Sequence, residues 1–287
     1  MSTFETGMWL KLMQQDKYSL GRALRPFSFS VALITCLVGI VSAASQTDFS
    51  YVAAVLILLG ALLLQAGVNL INDHADLQHL KSSIARARVV RNFRIGLTCV
   101  LLAAVVGIYL ISYAGLGLLA LLLVGLAGAL GYTVEPVNFK RRGLAVVLVF
   151  WLMGVLMVCG SYYILAGEIN WLIFWRSVPV SLISSLLLLA NEIRDIDSDR
   201  DEGIRTLSVR LGLRRARMLY VLLLLSVIAI ATTLWSLGLI ANFWWLASAP
   251  IIWLLYKQQL DAAGRAALPP ASGRFFMLFG LLYCLSL

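Results

Sequence analysis

Charge is so scarce along this chain that long stretches carry none, and this decides what the chain can fold into. No Asp, Glu, Lys or Arg stands between Arg25 and Asp48, Asp48 and Asp73, Arg94 and Glu135, Arg142 and Glu168, or Arg217 and Lys257. A helix that crosses a bilayer needs roughly 20 apolar residues. The first, second and fourth gaps fit one crossing each, and the other two are long enough for a pair. The pairs break at Ser112-Tyr113-Ala114-Gly115 and near Trp235–Asn242. A sixth span runs from about Asn170 to Asn191 and contains Arg176, and a ninth closes the chain. Phe275–Leu287 is short for a full crossing, so the last helix is short, tilted, or begins earlier near Pro270. The expectation is an all-α polytopic bundle of about nine transmembrane helices, one domain over residues 1–287 with a cytoplasmic N-terminal segment over 1–25. A transmembrane barrel is excluded, because its strands alternate polar and apolar residues. With 61% hydrophobic and 13% charged residues, against about 25% charged in soluble domains, an ordinary soluble enzyme and a disordered chain are excluded too.

Lys and Arg orient the bundle. All but Arg176 fall before span one or in the loops after spans two, four, six and eight, and the alternate loops hold none. By the positive-inside rule the N-terminus and these loops are cytoplasmic, placing the chain in the cell inner membrane. The net charge of +9 then belongs to anionic lipid head groups rather than to nucleic acid. Cys36, Cys99, Cys159 and Cys284 lie in spans without a C-x-x-C pair and read as packing. His74 and His79 have no further histidine or cysteine nearby in sequence to complete a transition-metal site.

The acids are concentrated. One group, Asn69-Leu-Ile-Asn72-Asp73-His-Ala-Asp76, ends span two, and another, from Asn191 to Glu202, ends span six. Asn69, Asp73 and Asp76 are spaced i, i+4, i+7; Asn191, Asp195 and Asp199 are spaced i, i+4, i+8. Each trio shares one helix face. A solvated helix end explains Asp201 and Glu202. It does not explain amides inside spans, which are costly unless paired or functional, nor the duplication. Carboxylates crowded on one face repel unless a cation offsets them. Hard oxygen donors suit Mg²⁺, which keeps waters and is shared with substrate phosphates. The metal ligands expected are Asp73, Asp76, Asp195 and Asp199, with Asn69 and Asn191 assisting. Lys140, Arg141, Arg194 and Arg205 stand around the acids as diphosphate-binding candidates, able to stabilise a departing diphosphate. Arg214, Arg215 and Arg217 read as an ordinary positive loop.

The stretch from Asn191 through Arg194-Asp195, Asp199 and Gly203-x-x-Thr206-Leu207 to Arg210-Leu211-Gly212 resembles the second aspartate motif of the UbiA superfamily of intramembrane prenyltransferases. Its tail, with Gln65–Asp76 as first motif, is similar to the MenA branch, the 1,4-dihydroxy-2-naphthoate prenyltransferases. Arg25-Pro26, Tyr132-Thr133-x-x-Pro136 and Gly160-Ser-Tyr162-Tyr163 agree, in the family's order. The chain departs from the branch after Asp76 and at Ala145-Val146, read here as cytoplasmic loop positions where the branch carries Gly and an acid. The resemblance implies Mg²⁺-dependent transfer of a polyprenyl group from polyprenyl diphosphate to an aromatic acceptor, in menaquinone biosynthesis. Asp73 and Asp195 would be central to catalysis, and the naphthoate carboxyl would be lost. Tyr132 would face the allylic cation or pack in the bundle. Another aromatic acceptor is the alternative. The rival class, a transporter, also keeps ionisable residues in its helices, but these acids gather at one face rather than the midplane.

Overall fold

The computed structural model describes residues 18–44, 49–74, 77, 80, 82–133, 136–258 and 262–287. Every regular element among them is helical. After a turn of helix at Leu20–Ala23 and a 3-10 turn at Pro26–Ser28 come α1 (Phe29–Ala43), α2 (Tyr51–Asn72), α3 (Ser83–Ala114) and α4 (Leu116–Thr133). They are followed by α5 (Ala145–Ala166), α6 (Trp171–Asp201), a short helix Leu207–Leu211, α7 (Leu213–Ser236), α8 (Ala249–Gln258) and α9 (Ala262–Cys284).

Six of these segments, those containing α1, α2, α3, α5, α6 and α7, are long and apolar enough to cross a membrane. The other three expected spans are present as helices of a different build. α4 is a shorter apolar helix, α8 is short and follows a 3-10 turn at Trp244–Ser248, and α9 begins at Ala262, so Pro269 and Pro270 lie inside it. Of the three readings of the last span, the earlier start is the one observed.

The helix ends follow from the sequence. Ser50, Ser82 and Asn170 cap α2, α3 and α6 by accepting the N–H of Ala53, Ala85 and Ile173, satisfying donors a helix start leaves open. Gly115, at φ 85°, turns the chain between α3 and α4 at the break expected there. α6 spans 31 residues, about 46 Å at 1.5 Å per residue, against a hydrocarbon core of about 30 Å. It therefore stays helical well past Asn191, and the acids of the second group ride on a continuous helix.

α6 is the hub, packing against α1, α5, α7 and α9. Its Ser177, Ser181 and Ser184 hydroxyls donate to carbonyls a turn back on the same helix, and Ser185 donates to the Val146 carbonyl of α5. Polar groups inside the bundle are thus satisfied locally. Where apolar lipid is the alternative neighbour, close packing rather than transfer from water holds helices together. Gly154, in a π-helical stretch of α5 (Phe150–Leu156), lies against Ser181, and Gly39 of α1 lies against the Val158 carbonyl of α5. Phe275, Phe276, Phe279 and Tyr283 fill the interior along α9.

Long-range contacts fix which helix ends lie together. The Arg25 guanidinium, before α1, meets Asp73 at the end of α2. Phe27 lies against Gly273 of α9. Near its start α9 presents Arg265 to Asp197 at the end of α6, at 3.0 Å. The ends of α2 and α6 therefore share one end of the bundle, as the matched acid groups imply. At the other end, Tyr283 donates to the Arg176 carbonyl and Arg176 donates to the Leu239 carbonyl, so Arg176 sits away from the acids, as expected.

Candidate active site

The first trio is built around a turn. Asn69 is buried, and its amide donates to the Leu24 carbonyl and the Ser28 hydroxyl, both at 2.7 Å. Its Oδ1 accepts from Gln65 at 3.1 Å. The amide that looked costly inside a span is thereby used to pin the turn carrying Arg25. That residue has φ 51° and ψ 66°, left-handed backbone in a non-glycine residue, which costs of order 1 kcal/mol. The turn aims its guanidinium at Asp73, Nη2 donating to Oδ1 at 2.8 Å. The Asp73 side chain is only 5% exposed, and a carboxylate so enclosed needs a cation or donors. Below it, Gly67 of α2 and Gly96 of α3 meet so closely that a Cβ on either would stand 3.0 Å from the other's carbonyl oxygen. Asp76 and His79 lie outside the described residues.

The second trio lies along one partly open face of α6. Asn191 donates to the Leu187 carbonyl of its own helix. Asp195 is gripped by Arg194 through both carboxylate oxygens, at 2.7 and 2.6 Å, the fork geometry that makes such pairs strong. Asp199 accepts from the Thr206 hydroxyl at 3.3 Å. The chain after α6 turns at Gly203, φ 69°, and comes back along the helix, bringing Thr206 and Ser208 beside it.

Lys140 and Tyr132 come to this same place. The Lys140 backbone N–H donates to the Tyr132 carbonyl. The charge of Lys140 acts on Glu192 and Asp199, and both carboxylates act on the Tyr132 hydroxyl. Among the described residues Lys140 makes no ion pair. Arg141 and Arg205 contribute backbone here: Arg210 donates to both carbonyls, at 3.1 and 2.9 Å, and ties the Lys140 loop to the returning segment. The side chains of Arg141 and Arg205 are exposed. Ala145 and Val146 are not loop positions. They form the buried first turn of α5, held by Ser185, so an acid there would enter helix packing.

Sequence reasoning passed over four residues. Arg25 appeared only as a motif mark, because nothing local links it to Asp73. Ser28 and Thr206 hold Asn69 and Asp199. Glu192 was hidden inside its own acid-rich run, though it lies two turns before Asp199 on the same helix face.

Among the described residues no three Asp, Glu, His or Cys side chains converge as a ready-made metal cage. This donor set still fits Mg²⁺, which uses one or two carboxylates together with substrate phosphates and water. Asp73, Asp195 and Asp199 are such donors, each now held by a guanidinium or a hydroxyl.

The model of the UbiA prenyltransferase family matches residues 32–280, most of the chain. The chain belongs to the UbiA prenyltransferase family. It is an integral membrane transferase with the helical fold of that family. Among curated relatives, a 1,4-dihydroxy-2-naphthoate octaprenyltransferase of Mycobacterium leprae is 32% identical over 76% of this chain and 80% of its own length. The Escherichia coli protein of the same name is 31% identical over 80% and 81%. Two solved UbiA homologues share the fold. That of Aeropyrum pernix superposes with a TM-score of 0.61 at 20% identity, over 92% of this chain and 96% of the other. That of Archaeoglobus fulgidus, bound to GPP and Mg²⁺, superposes with a TM-score of 0.57 at 16% identity, over 92% and 99%.

Proposed function

We propose that this UbiA-family protein transfers a polyprenyl group from polyprenyl diphosphate to 1,4-dihydroxy-2-naphthoate, as a step of menaquinone biosynthesis. The observation that carries the proposal is the meeting of both acid groups, with Arg25, Lys140 and Arg194, at one end of the bundle. The curated relatives named for this reaction supply the acceptor. The positive-inside rule puts this end of the bundle in the cytoplasm, with the chain in the cell inner membrane.

In this reading the diphosphate head lies between the two groups and the prenyl tail lies along the helices in lipid. Asp73, Asp76, Asp195 and Asp199 would hold Mg²⁺, which when bound would neutralise the diphosphate and favour its departure. Asn191 assists at the second group, and Asn69 acts by fixing the turn that bears Arg25. Arg25 and Arg194, now on Asp73 and Asp195, are placed to shift onto phosphate oxygens, and Lys140 meets the charge from the opposite loop. The allylic C–O bond breaks, and the diphosphate leaves with its electron pair. Apolar helix faces would have to keep water from the allylic cation, and Tyr132 is the aromatic residue beside the second acid group that would face it. The electron-rich ring forms the new C–C bond, and its carboxyl leaves as CO₂, restoring aromaticity.

A different acceptor is the second reading, motivated by the departures from the branch. Burial of Ala145 and Val146 weakens it, since a difference inside helix packing does not remove an acceptor contact. The test uses isolated membranes, a radiolabelled polyprenyl diphosphate and equal amounts of dihydroxynaphthoate, 4-hydroxybenzoate and homogentisate, with and without EDTA. The proposal expects prenylated naphthoate that disappears with EDTA. A product on another ring overturns the acceptor, and no consumption of diphosphate overturns the activity.

A further inference from the structure

Asn92 of α3 is fully buried and lies outside both acid groups. Its Nδ2 donates to the Tyr18 carbonyl at 3.1 Å, across 74 residues of chain. Its Oδ1 is buried with no hydrogen-bond partner among the described residues. An apolar side chain would pack there without leaving an acceptor bare, so an amide at this place calls for a reason. Tyr18 supplies one. Its side chain is buried with Leu80, Ala85 and Val89, and its carbonyl begins the segment that carries Arg25. From there a turn of helix runs without slack, the Ala23 N–H donating to the Ser19 carbonyl at 2.9 Å and the Leu24 N–H to the Leu20 carbonyl at 3.0 Å. The Leu24 carbonyl is in turn held by Asn69 of α2. Two buried amides, one on each of two packed helices, thus hold the carbonyls of Tyr18 and Leu24, and Arg25 follows directly with its left-handed backbone. A non-glycine residue keeps such backbone only where its surroundings over-determine it; the anchors at Tyr18, Leu24 and Ser28 do so.

We propose that Asn92 is a positioning residue: by fixing Tyr18 to α3 it sets the entry of the Tyr18–Ser28 segment, and so the place of the Arg25 guanidinium on Asp73, 2.8 Å away. Asn69 on α2 holds the far end of the segment, and Asn92 on α3 holds the near end. This rests on the proposed function for what Arg25 does in the reaction, but not for the seating of the segment. In that reading Arg25 meets charge on the diphosphate and leaves the acceptor alone. Loss of the anchor therefore lowers kcat and leaves KM for dihydroxynaphthoate little changed.

The test uses the full chain purified in detergent. Asn92→Leu is similar in volume and has no donor. It lowers kcat roughly tenfold, within the loss of up to about 100-fold that a displacement of about 1 Å can cause. In an Arg25→Ala background the same substitution lowers kcat no further, because its effect passes through Arg25. Losses that multiply in the double variant overturn the proposal. A second readout needs no substrate: cleavage by trypsin after Arg22, an exposed residue of the segment, with exposed Arg214 and Arg215 as references. Trypsin reaches a folded chain through local opening. Cleavage after Arg22 is several-fold faster in Asn92→Leu, while the references are cleaved at the wild-type rate. Asn92→Ala, which removes the donor without adding apolar bulk, gives the same pattern and serves if leucine prevents folding. Equal rates at Arg22 overturn the proposal, and so does faster cleavage at all three sites, which marks general destabilisation. A wild-type protein that transfers no prenyl group counts against the proposed function alone, because proteolysis still decides whether Asn92 seats the segment.

Discussion

Asp73 and Asp195 are each held by a guanidinium, yet they differ in enclosure. Asp73 is sealed under the Leu24–Ser28 turn, whereas Asp195 and Arg194 lie half in the open. Replacing either acid by Asn removes a charge needed to balance Mg²⁺ and diphosphate. Transfer falls at least about 100-fold in both variants, read as product formed in membranes, while circular dichroism stays helical. Wild-type-like turnover in either one contradicts the assignment. Stability separates them. Arg25→Ala takes one cation away from the enclosed Asp73, costing about 1–2 kcal/mol once the exposure of Arg25 is allowed for. Arg194→Ala costs well under that, since solvent replaces the fork around Asp195. Thermal unfolding in detergent distinguishes the two.

At the level of the helix, the close approach of Gly67 and Gly96 makes a specific demand. A side chain at either position meets the backbone of the other helix, so Gly96→Val forces α2 and α3 apart. The cost is about 1–3 kcal/mol, and Asp73, nearly two turns beyond Gly67, moves with α2. A lower thermal midpoint and reduced transfer are expected together; reduced activity alone would put the effect elsewhere. Such contacts also mark where sequence reading stops. The long helices, the Gly115 turn and the spacing of Asn191, Asp195 and Asp199 along α6 were legible, because charge-free length and helical spacing are local properties. The grip of Arg25 on Asp73, the tie of Glu192 to Ser208 and the burial of Ala145 and Val146 were not, because each depends on which helices become neighbours. The starts of the last helices were equally hidden: Arg265, Pro269 and Pro270 interrupt the apolar pattern without ending α9.

For the molecule as a whole, orientation is the decisive expectation. In a variant lacking the four native cysteines, Ser83→Cys and Asn242→Cys place thiols at exposed positions on opposite ends of the bundle. An impermeant thiol reagent added outside intact cells labels the second and spares the first. Labelling of Ser83→Cys from outside would invert the topology and move the acids to the outer face.

The packing is lopsided. α6 is enclosed by α1, α5, α7 and α9, whereas α2, α3 and α4 present residues such as Val55, Leu59, Leu102, Val105, Leu123 and Leu126 outward. Asp195 and Asp199 stand on the enclosed helix; Asp73 stands on one of the outward ones. One side of the site is therefore referenced to the protein interior and the other to the surrounding acyl chains. A thinner or thicker bilayer tilts the outward helices first, altering the span between the carboxylates without touching any of them. Turnover in vesicles of graded acyl length should thus pass through an optimum, with lipid composition acting as a tuning variable of the enzyme.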